Sequence, residues 1–131
     1  MAVGLPLAVT QIDAGYGSSY ALLADGSVYA WGDNGQGQLG DGTTTYRHSP
    51  VLISSLPLNP NYQLGGGGTG VYTFVAMLPD GSAVGSGRND YGQLATGDTA
   101  NVLTAGPLPG LRAGTVATAR GSGFMLLLRR P

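Results

Sequence analysis

His48 is the only histidine in the chain, so any histidine-based proton transfer or serine activation would have to use it. It lies in the polar stretch Tyr46–Ser49, and no G-x-S-x-G nucleophile motif occurs near it. We therefore predict a surface histidine and no catalytic residues.

Acidic residues near Asn and Gly raise the possibility of a calcium site. They are Asp33, Asp41, Asp90 and Asp98. A calcium loop of the EF-hand type needs a distal Glu, and the chain has no Glu. With one His and no Cys, a zinc site is equally implausible. These Asp residues are predicted to form turns and to bind no metal.

Two stretches match the dinucleotide fingerprint G-x-G-x-x-G, beginning at Gly35 and Gly65. A functional fingerprint opens a helix whose N-terminus holds the pyrophosphate. Here a polar turn, Asp41–Thr44, follows the first match, and a strand-like segment, Val71–Val75, follows the second. A phosphate-binding loop of the Walker type needs Lys, and the chain has none. We predict no cofactor and no enzymatic activity.

The composition favours an all-β protein with many tight turns. The 131 residues include 24 Gly and 8 Pro, and 42% are hydrophobic, which is enough apolar surface for collapse. The net charge of −1 and the lack of a basic face argue against direct nucleic-acid binding. The longest apolar run, Phe124–Leu128, is too short to span a membrane, and Met1–Val9 has no basic signal-peptide start. A cytoplasmic or nuclear location is favoured.

The chain repeats itself with an offset of 55 residues. This offset superposes Ala21–Val28 on Ala76–Ala83, and Gly37–Leu39 on Gly92–Leu94. A third copy begins, since Ala119–Leu128 parallels Ala14–Leu23. We predict a single partial propeller over 1–131. It comprises repeat 1 at 8–56, repeat 2 at 57–108 and a truncated repeat 3 at 109–131.

Each repeat reads as four short strands. In the first repeat these are Val9–Ala14, Tyr20–Ala24, Val28–Trp31 and Val51–Ile53. Asp25-Gly26 joins the second and third strands, and an Asp-Gly pair between apolar runs is a strong hairpin signal. Four strands per unit at this period are typical of a β-propeller blade. We expect an all-β, incomplete propeller of about two and a half four-stranded antiparallel blades.

The first repeat resembles the regulator of chromosome condensation repeat. That family's pattern runs AG-x-x-H-S-x-AL, then DG, then WG-x-N-x-x-GQLG. Matching segments are Ala14–Leu22, Asp25–Asn34 and Gly37–Gly42. Ser18 stands where His is common, and in the second repeat Ser86 replaces Trp31 and Ala95 replaces Gly40. The resemblance implies a propeller fold and a binding role.

Elementary packing explains the repeated residues. Leu39 and Leu94 are predicted core residues, and Trp31 is predicted to pack between blades with its indole N–H bonded. Asn34 and Asn89 suit turns, because short amides bond nearby backbone groups. Gly32, Gly37 and Gly40 are expected to allow turns and close approach between blades.

Loops on a rigid scaffold commonly carry binding, so we interpret the chain as a non-catalytic protein-interaction scaffold. The candidate loops are Thr43–Ser49 and Asp98–Leu103, with possible partner-binding residues Tyr46, Arg47, His48, Tyr91 and Asp98. The alternatives are guanine-nucleotide exchange on a small GTPase within a complete propeller, as the resemblance implies, and a truncated remnant without function.

An incomplete ring leaves blade flanks uncovered, which favours a protein partner or self-association. The residues expected on these flanks are Val9, Ile12, Phe124, Met125 and Leu127.

Overall fold

The computed structural model describes residues 8–14, 17–64, 72–89, 94 and 99–108, together with the backbone of two further strands at 115–120 and 125–129. The described residues form ten strands: β1 Val9–Ala14, β2 Ser18–Leu23, β3 Val28–Gly32, β4 Arg47–Leu52, β5 Gln63–Leu64, β6 Thr73–Met77, β7 Ala83–Gly87, β8 Val102–Pro107, β9 Thr115–Arg120 and β10 Met125–Arg129.

The strands build two four-stranded antiparallel sheets and one two-stranded sheet. Their orders are β1-β2-β3-β4, β5-β6-β7-β8 and β10-β9. The expected incomplete propeller of about two and a half blades is confirmed. We call the first two sheets blade 1 and blade 2. In the part of the chain that is described, no helix is long and apolar enough to cross a membrane.

The Asp25-Gly26 hairpin forms as its sequence predicts. Gly26 has φ +89°, a left-handed conformation that a residue without Cβ adopts without strain. Its N–H donates to the Leu23 carbonyl at 2.9 Å, and the Asp25 carboxylate accepts the Ser27 N–H at 3.0 Å. Gly81 repeats this turn in blade 2, with φ +88°.

The fourth strand of blade 1 begins earlier than predicted. The sequence places it at Val51–Ile53, whereas β4 runs from Arg47 to Leu52. Arg47 pairs with Gly32 and Val51 with Ala30, and the register shifts between these pairs. This bulge leaves β4 with an irregular, largely exposed pattern that lacks the alternation of a half-buried strand. Arg47, His48 and Ser49 therefore belong to a strand and not to a loop.

The main core lies between the two blades. Tyr20 of β2 stacks on Phe74 of β6, with ring centroids 4.6 Å apart, and Leu39 is fully buried in the same cluster. Leu94 is fully buried in a second cluster with Val75 and Met77. The prediction that Leu39 and Leu94 are core residues is confirmed. Stacked rings and aliphatic side chains make this contact the main apolar connection between the blades.

A side-chain amide also joins the blades at β1, the first strand of blade 1. Gln11 on β1 donates through Nε2 to the Tyr62 carbonyl at 2.7 Å. Its Oε1 accepts the Leu64 N–H of β5 at 2.9 Å. One side chain thus satisfies two backbone groups beside the short strand β5, which fixes the separation of the blades at this edge.

Part of the expected exposed flank is observed on β1. Ile12 is 77% exposed and Val9 is 41% exposed. Phe124 and the side chains of Met125 and Leu127, which were expected on the other flank, lie outside the described residues.

Candidate functional site

Asn34 lies near the start of the segment that connects β3 to β4, and its side chain hydrogen-bonds to several parts of that segment. Its side chain is fully buried, and its Oδ1 accepts the Leu39 N–H at 2.9 Å. Its Nδ2 faces the carbonyl oxygens of Thr43 and Thr45 at 3.0 and 3.2 Å. Asn34 therefore ties the core residue Leu39 to a chain segment nine to eleven residues away. The prediction that Asn34 bonds nearby backbone groups is confirmed, and its reach is wider than a single turn.

Asp41 holds the same segment through its carboxylate. One oxygen accepts the Thr43 N–H at 3.0 Å and the Thr43 hydroxyl at 2.7 Å. The other oxygen accepts Nε–H of Arg47 at 2.8 Å. Burial is the largest single influence and raises the pKa of Asp41. The hydrogen bonds from Thr43, Arg47 and Asn34 outweigh it and hold that pKa below the ordinary 3.8.

The candidate binding residues Tyr46, Arg47 and His48 lie together, next to the residues that Asn34 and Asp41 hold by hydrogen bonds. Tyr46 is 55% exposed, and its ring lies 4.7 Å from the exposed His48 ring, at an angle of 52°. Arg47 lies between them in sequence, and its guanidinium is drawn back to Asp41. We call Thr43–Ser49 the 43–49 segment. Two aromatic rings thus project from a backbone that is hydrogen-bonded to buried groups.

The described part of the second candidate loop contacts the chain just before the first candidate loop, at Gln36 and Gly42. Asn101 Nδ2 donates to Gln36 Oε1 at 2.9 Å, and Asn101 Oδ1 accepts the Asn89 N–H at 2.9 Å. Leu103 accepts the Gly42 N–H through its carbonyl oxygen at 2.9 Å. Tyr91 and Asp98 lie outside the described residues, so their role in partner binding stays a prediction.

The turn role predicted for two of the acidic residues is confirmed. Asp33 Oδ1 accepts the Gly35 N–H at 3.1 Å, and Asp41 closes a similar turn at Thr43. Across the described residues, no three His, Cys, Asp or Glu side chains are grouped closely enough to hold a metal ion. Asp90 and Asp98 lie outside those residues.

The first fingerprint-like stretch packs against protein. Gly37 and Gly40 have φ +80° and +72°. A Cβ on Gly40 would lie 2.6 Å from the Ala105 Cβ and 2.9 Å from the Ser86 Oγ of blade 2. These glycines therefore allow close approach between blades, as predicted. The second stretch, beginning at Gly65, lies outside the described residues.

Trp31 does not lie between blades 1 and 2, and its packing against another blade stays a prediction. It is half-buried on the face of blade 1 that points away from blade 2. No hydrogen bond joins its indole N–H to the described residues. Among those residues, it borders a groove of about 390 Å³. Between blades 1 and 2 the aromatic packing is supplied by Tyr20, on the opposite face of the sheet.

Sequence reasoning missed the roles of Asp41 and Thr43 in holding the 43–49 segment. The partners of Asp41 and Thr43 lie two to nine residues away, and no short sequence motif predicts these contacts. The repeat gives a signal for Asn34 and none for Asp41 or Thr43, because it superposes Asn34 on Asn89. Asn89 Oδ1 accepts the Leu94 N–H at 2.8 Å, which repeats the Asn34–Leu39 contact.

Comparison with known families agrees with this geometry. Models of the regulator of chromosome condensation (RCC1) repeat match residues 9–38 and 25–71. The chain is an RCC1-type repeat protein. It is 38% identical over 106 residues to human HERC4, described as a probable E3 ubiquitin-protein ligase. That match covers 80% of the chain and 10% of HERC4.

Two solved structures show the same fold. The structure of human WBSCR16 superposes with a TM-score of 0.71 at 25% identity, covering 96% of the chain and 32% of WBSCR16. Prp20p from Saccharomyces cerevisiae superposes with a TM-score of 0.72 at 16% identity, covering 94% of the chain and 31% of Prp20p. The chain thus spans about a tenth of the curated relative and about a third of each structure.

Proposed function

We propose that this RCC1-type repeat protein is a non-catalytic protein-interaction scaffold whose 43–49 segment contacts the partner. The observation that carries the proposal is the pair of exposed rings, Tyr46 and His48, on a segment held by Asn34 and Asp41. Tyrosine is enriched in protein interfaces, where it offers a large contact area together with a polar hydroxyl group.

Rigidity of the 43–49 segment favours binding. A segment already held in one conformation loses less entropy when a partner docks, so more of the contact energy appears as affinity. The Thr43 side chain, the Arg47 guanidinium and two backbone carbonyls are all engaged before any partner arrives. The exposed rings of Tyr46 and His48 are the large side chains of the segment that remain available for new contacts.

Electrostatics favour a protein over a nucleic acid. Arg47 is paired with Asp41 at 2.8 Å, so the segment presents little free positive charge. The whole chain has six basic and seven acidic residues, which gives no field for steering phosphate backbones. Proteins of this fold do bind proteins, since the Prp20p structure is described with its binding to Gsp1p and histones.

The test is affinity capture with the full chain immobilised. Tyr46→Ala combined with His48→Ala removes both rings and leaves the Asn34 and Asp41 contacts in place. We expect this double variant to lose a defined set of retained proteins that the parent chain captures. Leu58→Ala is the matched control, because Leu58 is 63% exposed and lies outside the segment. An unchanged set of retained proteins from the double variant would contradict the proposal.

A further inference from the structure

The exposed strand β4 carries a serine that proline follows, Ser49-Pro50. The chain has eight prolines, and Ser49 is the only serine or threonine that directly precedes one. The Ser49 side chain is exposed, and no hydrogen bond joins its hydroxyl to the described residues. Phosphorylation acts on such hydroxyls, and one class of protein kinase selects a serine or threonine followed by proline. The sequence thus offers a proline-directed kinase one acceptor, and the fold leaves that acceptor exposed.

Ser49 also lies in the bulge of β4. Pairing with β3 stops at Arg47 and resumes at Val51, with a register shift between them. The three residues of β4 inside this shift have no register partner on β3, and Ser49 is the middle one. A bulge leaves extra residues outside the ladder, and β4 is the last strand of its sheet as described. The acceptor therefore lies on an extended edge segment that an enzyme can reach from outside.

Blade 2 holds a matched residue that lacks the proline. The 55-residue offset places Thr104 at the position of Ser49, and β8 has the same kind of register shift. Thr104 is exposed even though Asp41 pairs with it across the blades, and Ala105 follows it. Exposure at this position is thus a property of the blade, whereas the proline occurs in the first repeat alone. Thr104 is an internal control for the role of the proline.

We propose that Ser49 is the phosphate acceptor of a proline-directed protein kinase, and that the phosphate weakens partner binding by the 43–49 segment. The Ser49 Oγ attacks the γ-phosphorus of ATP and forms a new O–P bond, while the bond from that phosphorus to the bridging oxygen breaks. ADP leaves with the electron pair, and the hydroxyl proton passes to a carboxylate of the kinase. This chain supplies the nucleophilic oxygen and the proline, and the kinase supplies ATP and the base.

A phosphate on Ser49 changes the charge of the 43–49 segment. Phosphoserine carries a charge of about −1.5 to −2 at pH 7. It follows His48 directly in sequence, and Arg47, the only Arg or Lys of the segment, is already paired with Asp41 at 2.8 Å. A partner that covers the exposed rings must then also desolvate the added charge, which lowers its affinity. This effect on binding rests on the proposed function, whereas the phosphorylation itself does not.

A kinase assay tests the acceptor with the full chain, a purified proline-directed kinase and radiolabelled ATP. We expect the parent chain to incorporate phosphate, and peptide mass spectrometry to locate it at Ser49. Ser49→Ala and Pro50→Ala should each lower the incorporation about ten-fold or more, whereas Thr104→Ala should leave it within about two-fold of the parent. Absence of incorporation into the parent chain, or undiminished labelling of either Ser49→Ala or Pro50→Ala, would overturn the proposal.

Gly26→Val separates phosphorylation of the folded strand from phosphorylation of the unfolded chain. This change destabilises a hairpin outside β4, where Gly26 has φ +89°. At a temperature where both chains are folded, the initial labelling rate of the variant should stay within about two-fold of the parent rate. A rate about ten-fold higher would follow the population of the unfolded chain, and would overturn the claim that the folded strand is the substrate.

Affinity capture measures the effect of the phosphate on binding. Parent chain phosphorylated at Ser49 should lose the same retained proteins as the Tyr46→Ala and His48→Ala double variant. Kinase-treated Ser49→Ala is the control and should keep them. Equal retention by the phosphorylated and unphosphorylated parent chains would overturn the regulatory role. A parent chain that retains no such proteins would contradict the proposed function and the regulatory role together, and would leave the labelling result at Ser49 standing.

Discussion

Asn34→Ala tests whether one buried amide supports both the core and the candidate binding segment. The change removes the acceptor of the buried Leu39 N–H and the donor that faces the Thr43 and Thr45 carbonyls. Leaving one buried backbone group unpaired costs about 1–3 kcal/mol, and each of the other hydrogen bonds contributes about 1 kcal/mol. We therefore expect the free energy of unfolding to fall by about 2–4 kcal/mol.

Urea denaturation of the full chain measures this change. With a slope of about 1–3 kcal/mol per molar urea, the midpoint should fall by about 1 M or more. Asn89→Ala should also destabilise, because it removes the equivalent acceptor of the Leu94 N–H. Asn61→Ala, at an exposed position, should change the stability by less than about 0.5 kcal/mol. A loss below about 1 kcal/mol for Asn34→Ala would refute the view that its amide organises the segment.

Three further predictions follow from the same structure. Gly26→Val should lower the thermal stability by more than about 1 kcal/mol, because Gly26 has φ +89° and a Cβ would lie 2.6 Å from the Asn59 carbonyl carbon. Gly106→Val, with no atom within 4 Å of its Cβ, is the control, and equal melting of the two variants would contradict the hairpin geometry. The depressed pKa of Asp41 contributes stability above its ordinary value of 3.8 that is lost as the pH falls through the folded-state value. Asp41→Asn should accordingly flatten the acid limb of a stability-against-pH curve, and an unchanged limb would argue against the network. Finally, we expect no catalysed release of labelled GDP from a Ran-like GTPase and no hydrolase activity, and rapid release at micromolar protein would overturn the non-catalytic interpretation.

The architecture was predictable because its signals are local and repeated. Asp25-Gly26 and Asp80-Gly81 specify hairpins through the conformational freedom of glycine, and the 55-residue offset carries each hairpin into its own blade. Leu39 and Leu94 were recognisable as core residues because each lies at the same place in its repeat. Regularity of this kind can be read from a single sequence.

The start of β4 and the hydrogen bonds that hold the 43–49 segment were not predictable in the same way. β4 is an exposed edge strand interrupted by a bulge, so its residues show no alternation of polar and apolar side chains from which a start at Arg47 could be read. The contacts of Asp41 and Asn34 depend on the backbone conformation of the connection between β3 and β4. The environment of Trp31 depends on which face of the sheet meets blade 2, and residue type alone does not determine that.

Site-specific photo-crosslinking tests the central claim, binding through the 43–49 segment, most directly. A photoreactive phenylalanine analogue replaces Tyr46 in one full-length chain and Leu58 in another, and both chains are irradiated in the native cell. Our account predicts one or a few discrete protein adducts from position 46 and none of the same mass from position 58. The absence of adducts at position 46, or identical adducts at both positions, would contradict it.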